Sequence, residues 1–165
     1  MKTESKMSER VRDAVAIVTG GGGNPSIGRS VAIRLAEEGA KVAVFDIDVA
    51  GAEAAAAEIV AGGGEAIACG CDVLDVAGIE AQVKCMTETW GRRVDILVNS
   101  AAWYKGMGGF KAFDEWTEAQ WDKMMAVNVK GLCNMAKAVV PIIKENHYCK
   151  LVIGRASLVS TTCQE

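Results

Sequence analysis

Five short, almost wholly apolar runs recur along the chain, and between them apolar residues return every three or four positions. The runs are AVAIVT (14–19), KVAVFD (41–46), EAIACGCDV (65–73), VDILVN (94–99) and KLVIGR (150–155). A strand buried on one face alternates polar and apolar residues, whereas one buried on both reads as a continuous apolar block. Strand-like blocks alternating with helical periods predict an α/β domain, a parallel sheet with helices on both faces.

The intervening segments carry helix ends. Ile27, Val31 and Leu35 predict one face of a first helix, and Gly39 stands where a C-terminal cap belongs. A second helix starts after Asp48, runs through an alanine-rich stretch and stops at Gly62, Gly63 and Gly64. The third follows Asp75 as N-cap and aligns Ile79, Val83 and Met86. The longest begins near Thr117, where T-E-A-Q resembles a capping box, and continues to about Asn146. Pro141 is expected to bend it or mark its final turns. The glycine-bearing stretch 104–116 reads as a mobile loop. Residues 1–10 read as a polar tail and 11–165 as one domain.

Composition narrows the function classes. At 50% hydrophobic residues and a net charge of −3, the chain is too apolar to stay disordered. It lacks the Lys/Arg blocks of a nucleic-acid binder. No apolar run is expected to reach bilayer length. The opening MKTESKMSERVRD has no signal-peptide core, which points to the cytoplasm. Six cysteines without a C-x-x-C, alongside a single histidine, read as reduced thiols and not as a metal site. His147 is expected to be a solvated cap, and Met124, Met125, Trp90, Trp116 and Trp121 packing residues. Trp103 and Tyr104 fall where a substrate cleft would lie.

The chemistry concentrates in VTGGGGNPSIGRS (18–30), which leaves a predicted strand and opens a predicted helix. In that setting glycines let backbone N–H groups approach a pyrophosphate at a helix N-terminus, because no Cβ intrudes. Gly20 makes the tight turn, and Ser26, Ile27 and Gly28 sit where the helix begins. Asp46 follows Gly28 by eighteen residues, at the end of the second strand. A carboxylate there accepts from adenosine ribose hydroxyls and repels a 2′-phosphate, which favours NAD(H) over NADP(H) in a Rossmann-type sheet.

Together these segments resemble the short-chain dehydrogenase/reductase family over nearly the whole chain. T-G at 19–20 with S-I-G at 26–28 is similar to its glycine motif. Asp72 and Val73 fall where the family contacts adenine. DILVNSAA (95–102), with Asn99 and Ala101, is similar to its fourth-strand element. VNVKG (127–131) resembles the segment bearing its helix asparagine, here Asn128, and VIGRASLVS (152–160) the turn bearing its catalytic serine, here Ser157. The resemblance implies a doubly wound sheet of order 3-2-1-4-5 and hydride transfer between nicotinamide and a secondary alcohol or ketone. It also implies a homo-oligomer. Asn128 would hold a helix kink and a proton-relay water, and Ser157 would bind the substrate oxygen.

The sequence departs from the family in four places. The glycine loop is two residues longer than usual, and its G-x-x-x-x-x-S form is similar to that of divergent enoyl reductases. N-S-A-A lacks the second Asn and the final Gly. Arg155 takes a position that is usually apolar. The family's Y-x-x-x-K does not occur, since Tyr104 and Tyr148 have no Lys four residues on. The expectation is a C-terminally incomplete fold and a truncated, poorly active chain. A second reading is an enoyl reductase, and a third a non-catalytic NAD-binding module.

Overall fold

A computed structural model describes residues 11–91, 93–103, 113–145 and 150–153. They form one five-stranded parallel sheet. Its strands are β1 (Val15–Thr19), β2 (Lys41–Asp46), β3 (Glu65–Gly70), β4 (Ile96–Asn99) and β5 (Lys150–Ile153). Their order is β3-β2-β1-β4-β5, as the family resemblance implied. The chain winds outward from β1 to one edge, then returns to β1 and builds the other side. That reversal between β1 and β4 is where open α/β sheets place their ligand crevice.

The described residues include five α-helices, α1 (Ile27–Glu37), α2 (Val49–Ala61), α3 (Val76–Trp90), α4 (Glu118–Met125) and α5 (Leu132–Glu145), of which α1, α2, α3 and α5 pack on the sheet. One core layer joins Val42, Val44, Ile96 and Val98 to Ala32, Ala52, Ala55 and Ile59 of α1 and α2. The other joins Ile17, Phe45 and Leu97 to Ile79, Val83 and Met86 of α3 and Met135, Val139 and Ile143 of α5. Each strand gives alternate residues to the two layers. All five residues of β1 are buried.

Helix ends follow their local chemistry. Beyond α1, Gly39 takes φ +93°, and the N–H groups of Gly39 and Ala40 donate to the Ala36 and Leu35 carbonyls, each at 3.0 Å. Gly63 and Gly64 repeat this reverse turn beyond α2, on Val60 and Ile59. Thr117 and Gln120 form the full capping box expected at the start of α4. The Trp116 ring, just before α4, packs against Trp121 within it, with centroids 4.9 Å apart.

Some expectations fail. Val31 and Leu35 are only partly buried and Ile27 is exposed; the fully buried residues of α1 are Gly28, Ala32 and Ala36. The helix lies so near the strands that small residues, not bulky ones, face them. Strand β3 ends at Gly70 because Cys71 to Asp75 turn towards α3. Asp75 is the N-cap of α3, but its side chain makes no capping bond. Met125 is exposed rather than core. The long helix is not uniform: Ala126–Gly131 is a π-helical turn between α4 and α5, and Pro141 falls in the closing turns of α5. Contrary to the sequence expectation, the run Glu118–Glu145, 28 residues, is long and apolar enough by length and composition to cross a membrane. Within it Met135, Val139 and Ile143 are buried against the sheet.

Candidate cofactor site

Parallel strands deliver their C-terminal ends to one edge of the sheet, and the loops leaving β1, β2 and β4 meet there. Thr19 ends β1 with its side chain buried, and its hydroxyl oxygen accepts the N–H groups of Ser100 and Ala101, both at 3.0 Å. Gly20 then turns at φ +70° and donates its N–H to the Phe45 carbonyl at 2.8 Å. A Cβ on Gly20 would lie 2.7 Å from the Ala101 backbone, so this turn requires glycine. Thr19 thus ties the first loop to the fourth strand, a role the motif alone did not reveal.

The loop re-enters helix at Ser26, the N-cap of α1. Its hydroxyl accepts the Arg29 N–H at 3.1 Å and lies 3.5 Å from the Gly20 carbonyl oxygen. Ile27 opens the helix with an exposed side chain. Gly28 is buried directly against the Gly20 and Gly21 backbone. The first turn of α1 holds no acidic residue, which leaves the positive end of its dipole uncompensated by carboxylates.

Asp46 closes β2 and reaches into this loop. Its Oδ2 accepts the Gly22 N–H at 2.7 Å, and its Oδ1 accepts the Asp48 N–H at 2.9 Å. Each oxygen retains a lone pair for a further donor. At the end of β4, Asn99 is only 4% exposed, and neither its Oδ1 nor its Nδ2 has a partner among the described residues. A buried amide without partners costs about 1–3 kcal/mol, so Asn99 presents a donor and an acceptor at the crevice edge.

The other expected residues lie further round. Asp72 is exposed and accepts the Leu74 N–H at 2.9 Å. Its neighbour Val73 is buried under Gly131, and the Val73 carbonyl accepts from Asn134 of α5 at 3.0 Å. Asn128 lies in the π-helical turn, and its Oδ1 accepts the Trp103 N–H at 2.8 Å while its Nδ2 faces the Trp103 carbonyl at 3.5 Å. The asparagine therefore brackets the backbone just beyond N-S-A-A. Ser157, Tyr104, His147 and Arg155 lie outside the described residues. A groove of about 530 Å³ runs along α1, lined by Pro25, Ser26, Ile27, Ser30, Val31 and Arg34. It flanks the glycine loop and includes neither Asp46 nor Asn99. No metal-ligating cluster occurs among the described residues.

The glycine cradle, the strand-end carboxylate and the buried Asn99 amide fit a nicotinamide dinucleotide. Loop 20–28 and the α1 N-terminus would hold its pyrophosphate, and Asp46 its adenosine ribose.

Comparison with known proteins agrees. Residues 14–159 match the family model described as short chain dehydrogenase. The chain is 38% identical over 141 residues to 2-(S)-hydroxypropyl-CoM dehydrogenase 3 of Xanthobacter autotrophicus, covering 86% of this chain and 52% of that protein. It is 34% identical over 161 residues to levodione reductase of Leifsonia aquatica, covering 96% and 57%. A solved 7α-hydroxysteroid dehydrogenase, complexed with NADH and 7-oxo glycochenodeoxycholic acid, superposes with a TM-score of 0.76 at 32% identity, covering 87% of this chain and 53% of that one. The protein belongs to the short-chain dehydrogenase/reductase family, whose members bind a nicotinamide cofactor. It spans about half the length of the curated relatives it matches.

Proposed function

We propose that the protein is an NAD(H)-dependent oxidoreductase that interconverts a secondary alcohol and a ketone. The observation that carries the cofactor choice is Asp46, whose two oxygens are already oriented by the Gly22 and Asp48 N–H groups at 2.7 and 2.9 Å. An anionic carboxylate in that position accepts from ribose hydroxyls and repels a 2′-phosphate. When bound, the nicotinamide supplies or accepts the hydride.

The chain's own residues bind and orient. Gly20 and Gly28 keep side chains out of the pyrophosphate's path, and the α1 N-terminus faces its charge. Asp72 and Val73 sit on the adenine side, as the resemblance implies. Asn99 and Ala101 line the path towards the nicotinamide. Asn128 fixes the Trp103 backbone and so the wall of the substrate side. Ser157 is assigned to the substrate oxygen, where a hydroxyl donor stabilises developing charge. Relatives named as dehydrogenases of galactitol and sorbitol support a small polar alcohol as the substrate class. The setting proposed is the cytoplasm, with copies of the chain associated as a homo-oligomer.

The test is calorimetric titration of the folded chain with NADH and with NADPH. NADH is expected to bind more tightly. Heat from neither dinucleotide, or equal affinity for both, would overturn this assignment.

A further inference from the structure

The tetrapeptide D-V-A-G occurs twice, at 48–51 and 75–78, and each time it opens a helix. In both copies Asp is the N-cap and Gly the third helical residue. Alanine is the better helix former at such a position, since glycine gives up more backbone freedom. The two glycines nevertheless meet different surroundings. The three atoms nearest to a Cβ on Gly78 all belong to the side chain of its own cap, Asp75. A Cβ on Gly51 would stand 2.5 Å from the carbonyl oxygen of Gly22 and 3.0 Å from its carbonyl carbon. Main chain cannot swing aside as a cap side chain can.

The contact is reciprocal. A Cβ on Gly22 would lie 2.9 Å from Asp46 Cγ and 3.0 Å from the Ala52 nitrogen. Gly22 is therefore held between the strand-end carboxylate and the first turn of α2, with glycine on both sides of the joint. The glycine loop carries two residues more than the usual family spacing, and a longer loop has more conformations to lose on ordering. A second anchor midway along it limits that freedom before a ligand arrives.

We propose that Gly51 is a positioning residue for the dinucleotide site: the bare first turn of α2 presses the Gly22 peptide onto Asp46 and thereby sets cofactor affinity. This rests on the dinucleotide reading above. In this role Gly51 acts through Gly22 and Asp46.

The experiment compares wild type, Gly51→Ala and Gly78→Ala by amide hydrogen exchange of ligand-free protein under glycine-selective isotope labelling, then by NADH titration. Gly51→Ala is expected to speed Gly22 exchange at least tenfold and weaken NADH at least tenfold. Gly62, whose N–H donates to the Glu58 carbonyl at the far end of α2, keeps its protection. Gly78→Ala is expected to leave Gly22 exchange and NADH affinity as in wild type. Should Gly51→Ala fail to fold, Gly22→Ala tests the joint from its other side, with the same tenfold loss expected. Unchanged Gly22 exchange in Gly51→Ala, an equal change in Gly78→Ala, or faster exchange with undiminished NADH affinity would each overturn the proposal. Failure of wild type to bind NADH overturns the dinucleotide reading itself, and is told apart because the unsubstituted chain fails.

Discussion

A side-chain carbon on Gly28 would lie 2.8 Å from the carbonyl carbon of Gly20, so the turn leaving β1 and the first turn of α1 touch backbone to backbone. No side chain fits between them. Gly28→Ala is expected to part these segments, cost about 1–3 kcal/mol of stability as overpacking does, and abolish NADH binding. Denaturant unfolding and calorimetry check the two effects; wild-type affinity in the variant would contradict the contact's role.

Asp46→Arg removes the acceptor for the Gly22 and Asp48 N–H groups and replaces a negative charge by a positive one. Hydrogen bonds to charged groups contribute about 1.5–3 kcal/mol each. NADH binding is expected to weaken roughly tenfold or more, and the preference between the two dinucleotides to shift towards NADPH. Fluorescence titration with both cofactors reads the ratio. An unaltered ratio would remove Asp46 from cofactor selection.

Asp95 is completely buried at the start of the fourth strand segment. It accepts the Val15 N–H at 2.8 Å and the Arg93 Nε at 2.7 and 2.9 Å. Asp95→Ala leaves the Val15 donor buried without a partner, at a cost of about 1–3 kcal/mol. Asp95→Asn keeps an acceptor and should lose less. Arg93 is half-exposed, so its remaining charge stays hydrated. Equal destabilisation by both substitutions in urea would argue against the buried acceptor as the cause.

Burial raises the Cys69 thiol from 9.0 to about 12, with Cys85 and Cys71 adding to the effect. Burial likewise raises Cys71 to about 11, with Asp72 and Asp75 adding to it. Alkylation at neutral pH should therefore modify the exposed Cys85 and Cys133 and spare Cys69 and Cys71 until the chain unfolds. The folded state keeps these two protons longer than the unfolded chain does. Their contribution to stability is full below about pH 9 and is lost as pH rises towards 11 and 12. A melting temperature that climbs across that range would contradict this.

Much of the sheet was legible because continuous apolar blocks such as KVAVFD have no other use than burial on both faces. The phosphate loop was legible because glycine, strand and helix signals coincide there. What escaped sequence reasoning depends on distances between elements. Nothing local marks Thr19 as the tie to Ser100 and Ala101, and nothing distinguishes Gly51 from Gly78, since the same four letters surround both. The packing face of α1 was misassigned because periodicity ranks large side chains first, whereas a helix pressed against strands keeps Gly28, Ala32 and Ala36 inward. The π-helical turn around Asn128 has no periodic signature at all.

β1, central among the described strands, precedes the other four along the chain, and its Val15 N–H donates to Asp95, eighty residues later. A nascent chain leaving the ribosome cannot complete its own centre until the fourth strand has emerged. Closing so long a loop early is entropically unfavourable. Until then β1 carries an unmatched edge, and synthesis rather than any local preference sets when the sheet can close.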